Sequence, residues 1–143
     1  MSPVILDDHL LRDMLADELS DHLATFLADN EPATTNLYYV RLCRSVVSAR
    51  GGRLTGAWSS ERRRALGRTL LTLPETIVIV PMRSLAFRMA ELAAPHRLSA
   101  LGAEAVAAAE HLSAPLCVWA GDDGPHIRAA ARAVGATYHT VSR

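Results

Sequence analysis

Acidic side chains follow two predicted strands of this 143-residue sequence, at the point where each strand ends. Asp7 and Asp8 come directly after the first apolar run of the chain. Asp122 and Asp123 come shortly after a second apolar run, Leu116–Trp119. Clustered carboxylate oxygens are the ligands that hard divalent cations prefer, and a bound cation can activate water against a phosphodiester. If the two strands are neighbours in one sheet, these acids meet at one edge and form a candidate catalytic site for Mg²⁺ or Mn²⁺.

Glu104, on the helix predicted before the second run, is a further acid that could serve this site. The predicted metal ligands are Asp7, Glu104 and Asp122, with Asp8 and Asp123 as additional catalytic candidates. A structural role stays open for all of them, because carboxylates after a strand are good N-caps and interact favourably with the helix dipole. In that alternative Asp122 and Asp123 belong to a turn, and Glu104 is a solvated helix acid.

Charge is distributed unevenly along the chain, although 15 acidic and 15 basic residues give a formal net charge of zero. The N-terminal 31 residues are mainly acidic, whereas residues 41–68 carry eight arginines and one acid. Arg41, Arg44 and Arg53 are candidate contacts to single-stranded RNA. Guanidinium groups bind phosphate, and the nearby tyrosine and tryptophan rings could stack on unpaired bases. The alternative is a solvated face in which Arg62–Arg64 balance the acidic N-terminal helices.

The histidines and cysteines show no zinc-binding spacing. His9 follows the first acidic pair, where it could bind metal or act as a base, although a surface or capping position is the simpler expectation. Cys43 and Cys117 cannot form a disulfide framework, and their apolar surroundings predict reduced side chains in a cytoplasmic protein. The longest stretch without an acid or arginine has 11 residues, which is too short for a membrane-spanning helix.

Apolar runs that alternate with helical patterns predict an α/β fold for a single domain, residues 1–143. The predicted strands are residues 4–6, 32–35, 76–80, 115–119 and 137–141. The runs are apolar rather than alternating, most clearly at residues 4–6, 76–80 and 115–119, as expected for a parallel sheet that is covered on both faces. We therefore predict a three-layer α/β/α sandwich with a central, mainly parallel sheet, in which ligands bind beyond the carboxyl ends of the strands. No glycine-rich loop follows the first strand, so the dinucleotide-binding and Walker motifs are absent.

The helical patterns are expected to be interrupted at two places. The helix that starts at Asn36 is expected to stop at the glycine pair 51–52, and the next residues, 53–58, to form a loop. A later helix is expected to end at Pro95.

Four stretches of the chain match, in order, the elements of one known family. They are residues 4–7 with the helix that follows, and residues 98–109, 114–118 and 129–135. These stretches resemble the first acidic motif, the late helix, the fourth strand and the closing helix of PIN-domain proteins. Members of this family are typically metal-dependent ribonucleases, many of them toxins of toxin–antitoxin pairs, which use three or four acids around Mg²⁺ or Mn²⁺. The resemblance extends over nearly the whole chain and implies the same fold.

The acidic site departs from the family's pattern. The family places Thr or Ser, then often Asn, after the first acid, where this chain has Asp8 and His9. The position of its second acid corresponds to Arg41. Its third acid falls two residues before Glu104, and its fourth matches Asp122 only with a small shift in the turn.

Two hypotheses follow from the resemblance and its departures. The first is a metal-dependent RNA endonuclease with a partly altered acidic site. The second is a catalytically inactive module of the same fold that binds RNA or a protein partner. The second is favoured if Arg41 points into the cleft and pairs with Asp7, because a guanidinium there disfavours a cation. The resemblance also implies an antitoxin-like protein partner, and a homodimer is expected for such folds.

Overall fold

The computed structural model describes residues 2–48, 50 and 52–142, and within them five strands form one sheet. The strands are β1 (Ser2–Leu6), β2 (Asn30–Thr34), β3 (Val78–Ile79), β4 (Leu116–Trp119) and β5 (Tyr138–Val141). Their order across the sheet is β3-β2-β1-β4-β5, and every described pair is parallel. The predicted α/β/α architecture with a central parallel sheet is therefore confirmed.

Helices cover both faces of this sheet. In the described part of the chain they are α1 (Asp8–Leu15), α2 (Asp21–Ala28), α3 (Asn36–Val47), α4 (Gly52–Thr55), α5 (Ser60–Leu71), α6 (Ala86–His96), α7 (Ala100–Leu112) and α8 (Pro125–Ala133). Several begin at a side-chain cap, in which a hydroxyl accepts a backbone N–H of the first turn. These caps are Ser20, Thr35, Ser59 and Ser99. Helices α6, α7 and α8 pack against one another, and α1, α3, α4 and α5 form a second group.

The central strand β1 is buried on both faces. Ile5 points into an apolar cluster that includes Leu116, whereas Val4 and Leu6 point into a second cluster that includes Cys117. Alternate residues of a strand face opposite sides of a sheet, so both layers of helices find apolar partners on β1. Each fully buried leucine or isoleucine contributes about 1.5–3 kcal/mol through removal of its surface from water. None of the helices in the described residues has the length and hydropathy needed to cross a membrane.

The topology creates a crevice at the carboxyl ends of β1 and β4. The chain passes from β1 outward to β2 and β3, then returns to β4 on the other side of β1. The connections after β1 and β4 therefore run in opposite directions across the sheet, which leaves an opening between them. The two acidic pairs follow these two strands, so the adjacency that the sequence analysis requires is confirmed.

The predicted strand at residues 76–80 is shorter than expected. Only Val78 and Ile79 form ladder pairs, with Ala33 and Thr34 of β2. Because β2 ends at Thr34, the residues that follow Ile79 have no residue of β2 to pair with. The apolar character of the flanking residues reflects burial between helices instead of strand pairing.

Two predicted interruptions are also wrong. The expected loop after the glycine pair contains α4, which begins at Gly52 with a positive φ of 59°. Helix α3 ends earlier, at Val47, and Gly51 lies outside the described residues. Pro95 lies inside the last turn of α6, where its missing N–H removes only one helical hydrogen bond. The helix ends instead at His96, and the next residue, Arg97, caps it in the left-handed conformation.

Candidate functional site

Asp7 joins three elements at the crevice. It is the N-cap of α1, and its Oδ1 accepts the backbone N–H of Leu10 at 2.9 Å. Its Oδ2 accepts the backbone N–H of Trp119, the last residue of β4, at 3.0 Å. The side chain is buried, and both oxygens are used to hold β1, α1 and β4 together.

Asp8 and His9, in the first turn of α1, are both buried at the crevice. Asp8 Oδ1 accepts the backbone N–H of His9 at 3.0 Å. Within the described residues, no hydrogen bond reaches Asp8 Oδ2 or His9 Nδ1. A buried polar atom without a hydrogen bond is costly, so Asp8 Oδ2, whose charged neighbour is Arg41 Nε at 3.3 Å, is suited to accept a ligand from the crevice.

Asp122, on the single 3₁₀ turn after β4, completes a cluster with Asp8 and His9. One potential ligand atom from each of the three residues lies within 4.8 Å of the other two. His9 Nε2 is 3.9 Å from Asp122 Oδ2. The two carboxylates suit a divalent cation such as Mg²⁺ or Mn²⁺, and the imidazole adds a nitrogen donor of the kind that transition metals use.

Burial controls the ionisation of this cluster. It raises the pKa of Asp7 to about 7, although the hydrogen bonds from the backbone N–H groups of Leu10 and Trp119 act in the opposite direction. Burial also raises the pKa of Asp8, and the charge of Arg41 partly offsets that effect. Burial lowers the pKa of His9 to about 4, although the charge of Asp122 opposes the change. At neutral pH His9 is therefore uncharged, which is the form that binds metal.

Two guanidinium groups reach the same cluster from α3 and α4. Arg41 Nε lies 3.3 Å from Asp8 Oδ2, in an ion pair whose geometry falls short of a hydrogen bond. Arg53 Nη2 lies 3.5 Å from Asp122 Oδ1. The guanidinium of Arg41 therefore does point into the crevice. It pairs with Asp8 and not with Asp7, because both oxygens of Asp7 already accept backbone N–H groups.

Glu104 is fully buried on α7, and its carboxylate serves the N-terminus of α3. Oε1 accepts the backbone N–H of Leu37 at 2.8 Å. Oε2 accepts the backbone N–H of Asn36 at 3.0 Å and its side-chain amide at 2.7 Å. With Thr35 bonded to the N–H of Tyr38, the first three N–H groups of α3 are satisfied. The expectation of a solvated Glu104 is wrong, and the predicted ligand role stays a prediction.

The remaining candidates lie at the edge of the crevice. Asp123 is not among the three clustered residues; it accepts a hydrogen bond from the Tyr138 hydroxyl at 2.7 Å and pairs with Arg128. Arg41, Arg44 and Arg53 together line one pocket between α3 and α4. The predicted RNA-contacting arginines are thus neighbours in space.

Sequence reasoning underestimated His9. The expected surface position is wrong, because the ring is buried and stacks on Trp119 with 4.6 Å between centroids. The available signal was its place directly after the acidic pair in a first helical turn. Tyr38 is also buried, which removes it as a platform for bases. The guanidinium of Arg62 lies over the Trp58 ring, 3.9 Å from the ring centroid.

Comparison of the sequence with protein-family models and with curated proteins finds no match.

Proposed function

We propose that this protein is a metal-dependent RNA endonuclease in which Asp8, His9 and Asp122 hold Mg²⁺ or Mn²⁺. The observation that carries the proposal is the approach of their ligand atoms to within 4.8 Å of one another at the crevice. Ligands of one octahedral ion, each at about 2.1 Å, are about 3.0 Å apart when adjacent and about 4.2 Å apart when opposite. The three side chains would therefore have to move closer together to bind one ion, and the 3.9 Å between His9 Nε2 and Asp122 Oδ2 already lies within that range.

The side chains around this cluster have separate roles in the proposal. A bound cation would polarise a phosphate oxygen and lower the pKa of a water molecule. Asp8 and Asp122 supply negative charge from the segments that follow two neighbouring strands, and His9 supplies a neutral nitrogen because burial depresses its pKa. Asp7 holds β4 against α1 and so fixes the distance between Asp8 and Asp122. Glu104 positions α3, the helix that carries Arg41.

Single-stranded RNA is the proposed substrate. The pocket lined by Arg41, Arg44 and Arg53 adjoins the acidic cluster through the contacts of Arg41 and Arg53. Guanidinium groups in that position suit the phosphate groups of a nucleic acid strand. The resemblance to PIN-domain ribonucleases favours RNA over DNA. A cytoplasmic location, an antitoxin-like partner and a homodimer stay predictions from the sequence.

Cleavage of an unstructured, fluorescently labelled RNA in the presence of Mn²⁺ tests the proposal. Asp8→Asn and Asp122→Asn should lower the cleavage rate by about 10- to 100-fold or more, because each removes a ligand charge. Asp21→Asn is the matched control, since Asp21 occupies the same first-turn position in α2 but is exposed. Equal activity in wild type and both site variants, or no activity in any of them, removes the nuclease proposal.

A second candidate function is RNA binding without catalysis. The specific observation in its favour is that Arg41 and Arg53 already neutralise Asp8 and Asp122. In that case the wild type binds RNA with a steep dependence on salt but does not cleave it, and Mn²⁺ changes neither property. A salt titration of RNA binding, measured beside the cleavage assay, separates the two functions.

A further inference from the structure

The pocket between α3 and α4 is lined by basic and hydroxyl groups. Its volume is about 330 Å³, and it contains three arginines, Arg41, Arg44 and Arg53, beside Ser45 and Ser48. Among the described residues that line it, none is acidic. Arg44 makes no ion pair with any described residue, so its charge is available to a ligand. This composition suits the phosphate of a nucleic acid strand.

Two of the three arginines also belong to the acidic cluster. Arg41 is the counter-ion of Asp8, at 3.3 Å, and Arg53 is the counter-ion of Asp122, at 3.5 Å. Their positive charge is therefore shared between the carboxylates and the pocket. A phosphate group that enters the pocket competes with Asp8 and Asp122 for the same guanidinium groups.

The two sides of these ion pairs differ in their freedom to move. The side chains of Asp8 and Asp122 are 0% and 30% exposed, whereas those of Arg41 and Arg53 are 38% and 70% exposed. Asp8 is buried and Asp122 is partly exposed, and both carboxylates are on short side chains that move less than an arginine. Exposed arginines can turn toward solvent or toward a ligand, and ion pairs with such exposed groups contribute little to stability.

We infer that cation binding at the acidic cluster and phosphate binding at the arginine pocket are positively coupled through Arg41 and Arg53. The inference rests on the cation site of the proposed function. A cation on Asp8 and Asp122 takes over the neutralisation of the carboxylates, which leaves both guanidinium groups for phosphate. By reciprocity, phosphate in the pocket strengthens cation binding by the same factor. Without a cation, the arginines act as built-in counter-ions and the pocket binds phosphate weakly.

The coupling can be tested first without any metal. Asp8→Asn and Asp122→Asn remove the carboxylate charge, so in EDTA they should release Arg41 and Arg53 to the pocket. Their affinity for a fluorescein-labelled 2′-O-methyl-uridine pentanucleotide, measured by anisotropy, should exceed that of the wild type by about threefold or more. Asp21→Asn should bind like the wild type, and Arg44→Gln should bind more weakly. Affinity in both site variants equal to or below that of the wild type overturns the inference.

A second measurement covers the case in which the site variants fail to fold. In the wild type at fixed ionic strength, Mn²⁺ should tighten binding of the same pentanucleotide by about threefold or more, and the pentanucleotide should tighten Mn²⁺ binding equally. Mn²⁺ that binds without changing pentanucleotide affinity overturns the coupling but leaves the proposed cation site intact. No Mn²⁺ binding and no RNA cleavage in the wild type overturns the proposed function. The comparison of variants in EDTA then still decides whether the carboxylates restrain the arginines.

Discussion

The carboxylate of Asp7 accepts the backbone N–H of Trp119, 112 positions later in the chain, at 3.0 Å. This hydrogen bond connects the end of β1 to the end of β4, and the second oxygen of Asp7 caps α1. Asp7, the first acidic residue of the sequence, therefore joins the two strand ends from which the crevice opens. Asp8 and Asp122 face each other across the crevice because Asp7 holds the strand ends together.

Asp7 should make stability depend on pH. Its pKa of about 7 lies above the ordinary value of 3.8, so its contribution to the free energy of unfolding is fully present below pH 3.8 and is lost as the pH rises through 7. Relative to Asp7→Asn, which does not titrate, the wild type should lose roughly 2–4 kcal/mol between pH 4 and pH 8. Urea unfolding of both proteins at several pH values in EDTA measures this difference.

His9 has the opposite dependence, since its lowered pKa stabilises the fold above pH 6.5 and loses that effect as the pH falls toward 4. Both proteins in the comparison retain His9, so the difference between their unfolding free energies reports on Asp7. A difference that does not change with pH would mean that Asp7 keeps one protonation state throughout.

Glu104→Gln should destabilise the protein by about 2–4 kcal/mol. The carboxylate accepts three N–H groups of Asn36 and Leu37, and the NH₂ group of a glutamine side chain would be a donor facing these donors. Urea unfolding measures the loss. The matched control is Glu110→Gln on the same helix, which removes a partly exposed ion pair with Arg88 and should cost less than about 1 kcal/mol.

The same variant distinguishes a positioning role for Glu104 from a ligand role. Because its oxygens face α3, Mn²⁺ affinity of folded Glu104→Gln should change by less than about threefold. A loss of more than tenfold, at a temperature where the variant is folded, would instead support Glu104 as a metal ligand.

Gly121→Ala should disturb the stacking of Trp119 on His9. A Cβ at Gly121 would lie 2.4–2.7 Å from atoms of the Trp119 ring, which is closer than non-bonded atoms can approach. We expect a loss of about 1–3 kcal/mol in unfolding free energy and a weaker affinity for Mn²⁺. Gly124→Ala in the same turn is the control, since its Cβ would make ordinary contact with Ile127 at 3.4 Å. Equal behaviour of the two variants would contradict this packing role.

Ser45→Ala should loosen the attachment of α4, which carries Arg53. The Ser45 hydroxyl lies 2.8 Å from the Thr55 hydroxyl and accepts the Thr55 backbone N–H at 3.1 Å. Its loss should cost about 1–2 kcal/mol and lower affinity for the labelled pentanucleotide about twofold or more. Thr69→Ala is the control, because that hydroxyl donates to the Ala65 carbonyl of its own helix. Unchanged pentanucleotide affinity in Ser45→Ala would show that Arg53 does not depend on this link.

Much of the fold could be predicted because it depends on patterns that are local in the chain. The apolar runs of β1 and β4 predict buried strands, which the structure confirms. The hydroxyl caps of Ser20, Ser59 and Ser99 likewise join residues that are close in the chain. That β1 and β4 are neighbours was a condition that the sequence left open, and the strand order of the folded sheet supplies it. The partners of single side chains could not be predicted in the same way. Glu104 and Asn36 are 68 positions apart, and no spacing rule connects them.

Helices α1 and α2 show how far sequence patterns predict the structure, because both begin with the tripeptide Asp-His-Leu after a capping side chain. The sequence by itself determined two similar helix starts, since caps and propensities depend on near neighbours. Only the tertiary structure decided that Asp8 and His9 are buried beside Asp122 while Asp21 and His22 are exposed. The physical reason is that burial, pKa and ion pairing depend on what packs nearby in space, and here the strand and turn that pack against α1 lie more than a hundred residues away along the chain.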